Sequence, residues 1–303
     1  MDSVKIKINE KTLEKMKKFY DSQMTVTDDS DIIFQAQMIG CTITAHTNME
    51  VTFEGIRAKE ASIHWVKTPK SKAKTENVTK NENGIFIQKH IGSDDVGNTD
   101  YFGPICTVAC YVSEEDIEWL NSLEIPMDVK SLPATEIVRI AKIIKERVVY
   151  SLLILDNPHY NKMINEGINN AHLKAKLHNQ AITNIMQRLN SPVSTKIVEQ
   201  FVAPKTYYNY LKGEVIVVKD LTFEKNTYSS YYAMVCAHIL ARYASLQYFN
   251  NMSRSLKVKL PYGATSLADQ VASKLVQQYG ENILNKVAKK NMNNTKRVIE
   301  AIK

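Results

Sequence analysis

The sequence predicts a mixed α/β protein in two parts, a small α+β module followed by a larger mixed sheet flanked by helices. Three observations carry this. Short runs of alternating apolar and polar residues occupy residues 1–66. A polar, Lys-rich stretch at 67–84 then interrupts them. Beyond it, apolar runs of strand type alternate with stretches whose apolar residues recur at helical spacing.

In chain order, VKIKI (4–8) alternates with period two and reads as a strand, and EKTLEKMKKFY (10–20) reads as an amphipathic helix. IIFQAQMIG, CTITAHTN and MEVTFEG follow as three short strands with turn residues between them, a small antiparallel sheet. AKEASIHWVK closes the module as a helix. KTPKSKAKTENVTKNENG reads as a solvated tether or an exposed loop, whose lysines could also meet phosphate.

In the second part GIFIQKHIGS and GPICTVACYV read as strands. Ser113 caps SEEDIEWLNSL, with Asp116 in the capping-box position. ATEIVRIAKIIKER (134–147) has a clear apolar helical stripe, and VVYSLLILD (148–156) reads as a buried central strand. A long helix covers roughly 168–189. TKIVEQF is a short strand, PKTYYNYL a helix opened by proline, and EVIVVKD another strand. YSSYYAMVCAHILARYASLQYF is a long apolar helix, SLADQVASKLVQQYG ends on Gly280 in the C′ manner, and two short helices follow.

The 303 residues suffice for one large domain or for a large and a small one. A formal charge of +7 favours an acidic partner such as nucleic acid, although Lys-rich surfaces also serve solubility alone. The four cysteines form no CxxC pair and read as buried, reduced thiols of a cytoplasmic protein. The seven histidines are scattered without ligand spacing, which argues against zinc. The polar start MDSVKIKINEK and the lack of a long apolar run predict neither a signal peptide nor a membrane span.

The chemistry-bearing stretch is IGSDDVGNTDYFGP (91–104). Two adjacent like charges, Asp94 and Asp95, end an apolar run, which is unfavourable unless a cation or a solvated turn relieves the repulsion. Ligands of α/β sheets gather at strand ends. Glu199 ends a second strand, so Asp94, Asp95 and Glu199 are candidate ligands for a hard divalent ion such as Mg2+ or Mn2+.

These residues carry a resemblance. IGSDDVGNTDYFGP, MDVKSL (127–132), LKAKLHNQAI (173–182), VEQFVAPKTYYNYL, AHILARYASL and LPYGATSLAD together resemble ribonuclease HIII, the bacterial type 2 ribonuclease H with an added N-terminal domain, over essentially the whole length. The resemblance implies an RNase H-like catalytic domain at 85–303 and an N-terminal domain at 1–66 similar to the TATA-binding-protein fold. It also implies cleavage of RNA in RNA/DNA hybrids with Mg2+ or Mn2+. Asp94, Asp95 and Glu199 match three acids of a metal site whose pattern is Asp, Glu, Asp, Glu. The fourth position falls on Tyr228, with Glu224 and His238 as candidate substitutes. Residues matching positions near the substrate are Gly97, Asn98, Thr99, Tyr101, Lys130, Ser131, Lys174, Lys176, Lys205 and Tyr207.

The departures have physical content. Exchanging Asp and Glu moves a carboxylate by one C–C bond, about 1.5 Å. Tyr228 is neutral at pH 7 and cannot balance an ion as a carboxylate does. Thr99 adds a Cβ where the family has glycine. Two functions of different class follow. The first is a monomeric endonuclease of RNA/DNA hybrids using metal-activated water. The second is a homologue that binds hybrid or other duplex nucleic acid with impaired cleavage. A third, a protein-interaction scaffold, would require an exposed apolar face on the 228–249 helix. His178 and Asn179 read as a buried polar pair rather than part of a site, and Asp100 and Asp269 as structural acids.

Overall fold

A computed structural model describes residues 3–38, 40–63, 65, 80–189 and 191–302. The chain divides into two compact units, residues 1–78 with 186–192 and 212–217, and residues 79–185, 193–211 and 218–303.

The first unit contains β1 (Ser3–Lys7), α1 (Glu10–Tyr20), β2 (Met24–Thr25), β3 (Ile32–Met38), β4 (Cys41–His46), β5 (Glu50–Glu54) and α2 (Ala58–Ile63). Asn9 starts α1, its side-chain oxygen accepting from the Thr12 N–H. Leu13, Met16 and Tyr20 recur at helical spacing and are buried with Phe34, Ile43, Val51 and Phe53 of the sheet. The strands pair antiparallel in the order β1-β5-β4-β3-β2. The expected small antiparallel sheet is therefore present, with β2 as a short added edge. The predicted 67–84 tether lies outside the described residues except for 80–84, where Lys80 bridges to Phe86.

The second unit contains β6 (His90–Val96), β7 (Ile105–Val112), α3 (Glu114–Ser122), α4 (Ala134–Ile144), β8 (Val149–Leu155), α5 (Asn157–Asn165) and α6 (Asn170–Arg188). These are followed by β9 (Thr195–Glu199), α7 (Pro204–Tyr210), β10 (Thr222–Glu224), α8 (Tyr232–Leu256), α9 (Ser266–Tyr279), α10 (Ile283–Val287) and α11 (Asn293–Ile302). The sheet order is β10-β9-β6-β7-β8. β6, β9 and β10 run parallel, and β7 and β8 complete the sheet antiparallel. Ser113 and Asp116 form the expected capping box. Helix α8 lies close over the sheet, and Gly92 permits this: a Cβ there would fall 2.7 Å from the Met234 nitrogen.

Three expectations are corrected. VVYSLLILD forms the edge strand β8, with Leu152 and Ile154 exposed, because an apolar run does not distinguish a central strand from one that lines a groove. EVIVVKD is irregular, and the third parallel strand is the later Thr222–Glu224. The Val218 N–H goes to the Asn179 side chain at 2.8 Å instead of to a sheet ladder. Residues 85–89 are not strand, although Ile85 and Phe86 join the core.

Candidate active site

Strand alternation decides how the adjacent aspartates coexist. β6 exposes even-numbered residues to one face and odd-numbered residues to the other. His90, Gly92 and Asp94 face α8, and Ser93 and Asp95 face α6. The two carboxylates therefore point to opposite faces, and each has its own donors. β9 runs parallel to β6, so Glu199 ends its strand at the same C-terminal end of the sheet as Asp94 and Asp95.

On the α8 side, Asp94 Oδ2 accepts from the Tyr228 hydroxyl at 2.8 Å and from His238 Nδ1 at 2.7 Å. The Tyr228 and His238 rings meet edge-on, 5.3 Å between centroids. Burial raises the Tyr228 phenol far above its ordinary range, and the charges of Asp94, Glu199 and Asp95 push it further. The hydroxyl thus keeps its proton and lies within the field of all three acids.

On the α6 side, Asp95 accepts from Lys174 Nζ at 2.8 Å, from His178 Nε2 at 3.0 Å and from the Asn98 side-chain amide. Burial pushes the Asp95 carboxyl up. The His178 hydrogen bond and the charges of His178 and Lys174 outweigh it and hold the group below the usual carboxylate range. His178 Nδ1 meets the Ser93 hydroxyl at 2.8 Å, and Lys174 Nζ also stands 4.4 Å over the Phe201 ring.

Glu199 closes the cluster differently. Its carboxylate accepts from the Asn226 and Thr227 N–H groups at 3.2 Å and from the Thr227 hydroxyl at 2.5 Å. It thereby fastens the 3-10 turn Thr227–Ser229, which presents Tyr228, while Asn226 takes the left-handed conformation at φ 58°.

A cleft of about 570 Å3 opens beside Asp95, with Gly97, Asn98, Thr99, Lys174, Arg242 and Tyr262 among its walls. Gly97 is required by the turn itself. Its φ is +96°, and a Cβ would lie 2.2 Å from the Pro104 carbonyl oxygen. Thr99 is outside the left-handed region, so its side chain brings no backbone strain. Arg242 donates to the carbonyls of Val129, Lys130 and Leu132 at 3.3, 3.4 and 2.9 Å and so fixes the MDVKSL loop. In that loop the Ser131 hydroxyl donates to the Asp128 carboxylate at 2.7 Å, and Lys130 Nζ stands 4.7 Å over the Tyr228 ring. Lys205 is exposed on α7, and Lys176 is half-buried on α6.

Several candidate residues have other roles. Tyr101 and Tyr207 do not line a nucleic-acid surface, because both are fully buried. The Tyr101 hydroxyl pairs with Thr295 at 3.0 Å, and the Tyr207 ring packs among Phe201, Tyr208 and Phe223. Aromatic rings of this size are stabilised more by burial than by a place on an open groove. Glu224 pairs with Tyr231, whose hydroxyl lies 3.0 and 3.1 Å from its two oxygens. His238 joins the cluster as the partner of Asp94. His178, read from sequence as outside the site, is in it. The available signal was its spacing of four from Lys174, which puts both side chains on one helix face beneath Asp95.

The arrangement does not fit a pair of divalent ions. Such a centre places shared carboxylates around ions about 3.5–4 Å apart. Here Asp94 and Asp95 diverge, each acid accepts from protein donors, and the fourth position supplies a protonated phenol. Among the described residues no three His, Cys, Asp or Glu side chains come together as a ligand group. The buried acceptors left over, His238 Nε2 and Asn98 Oδ1, belong to opposite sides of the cluster.

The second part of the chain, residues 91–295, matches the family model "Ribonuclease HII", and residues 3–78 match a domain of unknown function, DUF3378. The chain is 35% identical over 312 residues to Ribonuclease HIII of Listeria monocytogenes, covering 100% of both. It is 34% identical over 299 residues to Ribonuclease HIII of Bacillus subtilis, covering 96% of this chain and 95% of that one. Its fold is similar to the crystal structure of Bst-RNase HIII in complex with Mn2+, with a TM-score of 0.70, 27% identity, and coverage of 100% and 99% of the two chains.

Proposed function

This chain belongs to the ribonuclease HIII family, and we propose that it is an endonuclease that cuts the RNA strand of RNA/DNA hybrids. The observation that carries this reading is the placement of Asp94 and Asp95 at the end of β6 and of Glu199 at the end of the parallel β9, with a cleft opening beside Asp95. The relatives above are named as ribonucleases, which supports cutting over a binding-only or scaffold role. Residues 232–241 of α8 are buried, which leaves the scaffold reading only the later turns of that helix. A member solved with Mn2+ supports a divalent ion, Mg2+ or Mn2+, as the family's cofactor.

In this reading the chain's own residues bind and orient. Lys174 in the cleft wall and Lys130 over the Tyr228 ring supply positive charge for a phosphate backbone, and Lys176 and Lys205 add to it. The Gly97–Thr99 turn offers a close approach to the ribose edge, where a protein distinguishes RNA from DNA. Asp94, Asp95 and Glu199 supply the negative pole. Residues 1–66 form a substrate-holding domain, 67–84 a tether and 85–303 the catalytic domain of a cytoplasmic monomer. The family models, one ending at 78 and the other beginning at 91, support two parts but carry the first beyond residue 66. No helix among the described residues is long and apolar enough to cross a membrane.

The test is cleavage of an end-labelled RNA/DNA hybrid in Mg2+ and in Mn2+ beside an Asp94→Asn control. Fragments from the RNA strand that disappear in the control are expected. Absence of fragments in either ion over a wide concentration range would sink the nuclease reading, as would equal cutting by the control.

A further inference from the structure

We propose that Tyr228 and His238 cap Asp94 in the place of a bound ion, so that this chain holds hybrid duplex without a divalent cation and takes up such a cation only weakly. The inference deepens the preceding reading and rests on it for the identity of the ligand.

Four observations support it. First, the Tyr228 hydroxyl is spent on the first acid of the cluster. It donates to Asp94 Oδ2 at 2.8 Å. A proton donor at that point satisfies charge that a cation would otherwise satisfy. Second, His238 donates to the same Asp94 oxygen at 2.7 Å, and both partners are buried. A cation that takes this oxygen must therefore displace two short hydrogen bonds inside the protein. Third, the turn bearing Tyr228 is itself fixed by Glu199, which binds the Thr227 N–H and hydroxyl. Withdrawing the phenol disturbs a second acid of the cluster. Fourth, Lys174 already places an ammonium 2.8 Å from Asp95, and Lys130 places another over the Tyr228 ring. An incoming divalent ion meets like charge at both. The same two ammoniums attract phosphate, so duplex binding needs no ion to mask the acids.

The contrast with ion-dependent binding is measurable on the full chain. Free Mn2+ is counted by electron paramagnetic resonance during titration of the wild type, of Tyr228→Glu and of the double variant Tyr228→Glu with His238→Ser. Hybrid binding is followed by fluorescence anisotropy in EDTA and in Mg2+ at matched ionic strength, because salt alone moves such affinities. The double variant is expected to bind Mn2+ at least about tenfold more tightly than the wild type, and the single variant to fall between them. Wild-type affinity for hybrid is expected to change by less than about twofold between the two buffers. Wild-type binding of Mn2+ as tight as that of the double variant overturns the proposal, and so does hybrid binding that vanishes in EDTA. The wild-type measurements alone decide the matter if the variants fail to fold: stoichiometric Mn2+ uptake at micromolar concentration overturns it. Failure to bind hybrid in either buffer overturns the functional reading too, whereas binding lost only in EDTA overturns this inference alone.

Discussion

The two sides of strand β6 solve one problem by different means. Both must keep a buried carboxylate satisfied. The α6 side uses an ammonium: Lys174 meets Asp95, with His178 and Asn98 completing the shell. The α8 side has no lysine on Asp94 and relies on an imidazole and a phenol. A carboxylate with a formal counter-ion tolerates the loss of a secondary donor. One held by two hydrogen bonds does not, because removing either leaves charge in a poorly hydrated place.

The sharpest way to break this comparison is to remove one histidine from each side. His238→Leu should destabilise the fold by ~3 kcal/mol, since Asp94 keeps only the Tyr228 hydroxyl. His178→Leu should cost less, ~1.5 kcal/mol, because Lys174 and Asn98 remain on Asp95. Urea unfolding of the two variants decides it, and the opposite ranking would show that the ammonium is not what distinguishes the sides.

The next effect is in pH. His90 lies on the α8 face of the same strand, where its Nδ1–H donates to the Gln88 carbonyl at 2.8 Å and its Nε2 accepts from the Ala233 N–H at 3.2 Å. Burial lowers its pKa from 6.5 to about 4, against a raising contribution from the Gln88 carbonyl. Between those values the unfolded chain binds the proton and the folded chain does not. Stability is therefore full above pH 6.5 and falls as the pH drops toward 4, with His90 contributing ~3 kcal/mol of the loss. Unfolding free energies of wild type and His90→Gln across that window should differ in slope by the equivalent of about one proton. Parallel slopes would remove His90 from the account.

The smallest effect is at the rim. Lys130→Ala removes an ammonium from over the Tyr228 ring and should cost only ~0.5 kcal/mol of stability. The same change should reduce the salt slope of hybrid binding by about one unit if Lys130 meets a phosphate. An unchanged slope would confine its role to the tyrosine.

Much of this site was legible in the sequence. The Asp94–Asp95 pair at a strand end, Glu199 at another and the phenol at Tyr228 follow from motif spacing, and the parallel β6–β9 pairing brings the acids to one end of the sheet. What strand alternation does to adjacent acids was also available, yet a metal-site reading draws Asp94 and Asp95 together where the pleat drives them apart. His178 shares a helix face with Lys174, four residues earlier, but that spacing does not say that Asp95 lies across from it. Tyr101 and Tyr207 match substrate-side motifs, but the motif does not say which way a ring turns. The irregular course of EVIVVKD was illegible for a related reason. Its ladder partner is replaced by the side chain of Asn179, a tertiary contact that no local window contains.

Arg242 gives the fold a further property. It lies four residues after His238 on α8, one turn along the same helix. One holds Asp94, and the other grips three carbonyls of the loop that carries Lys130. The helix thus works as a common ruler for the acid cluster and for the loop that carries Lys130. A slip of α8 by one residue, about 1.5 Å along its axis, would misplace both in the same direction. The spacing between charge of one sign and charge of the other is set by a single helical turn, which makes it resistant to changes in the surface loops.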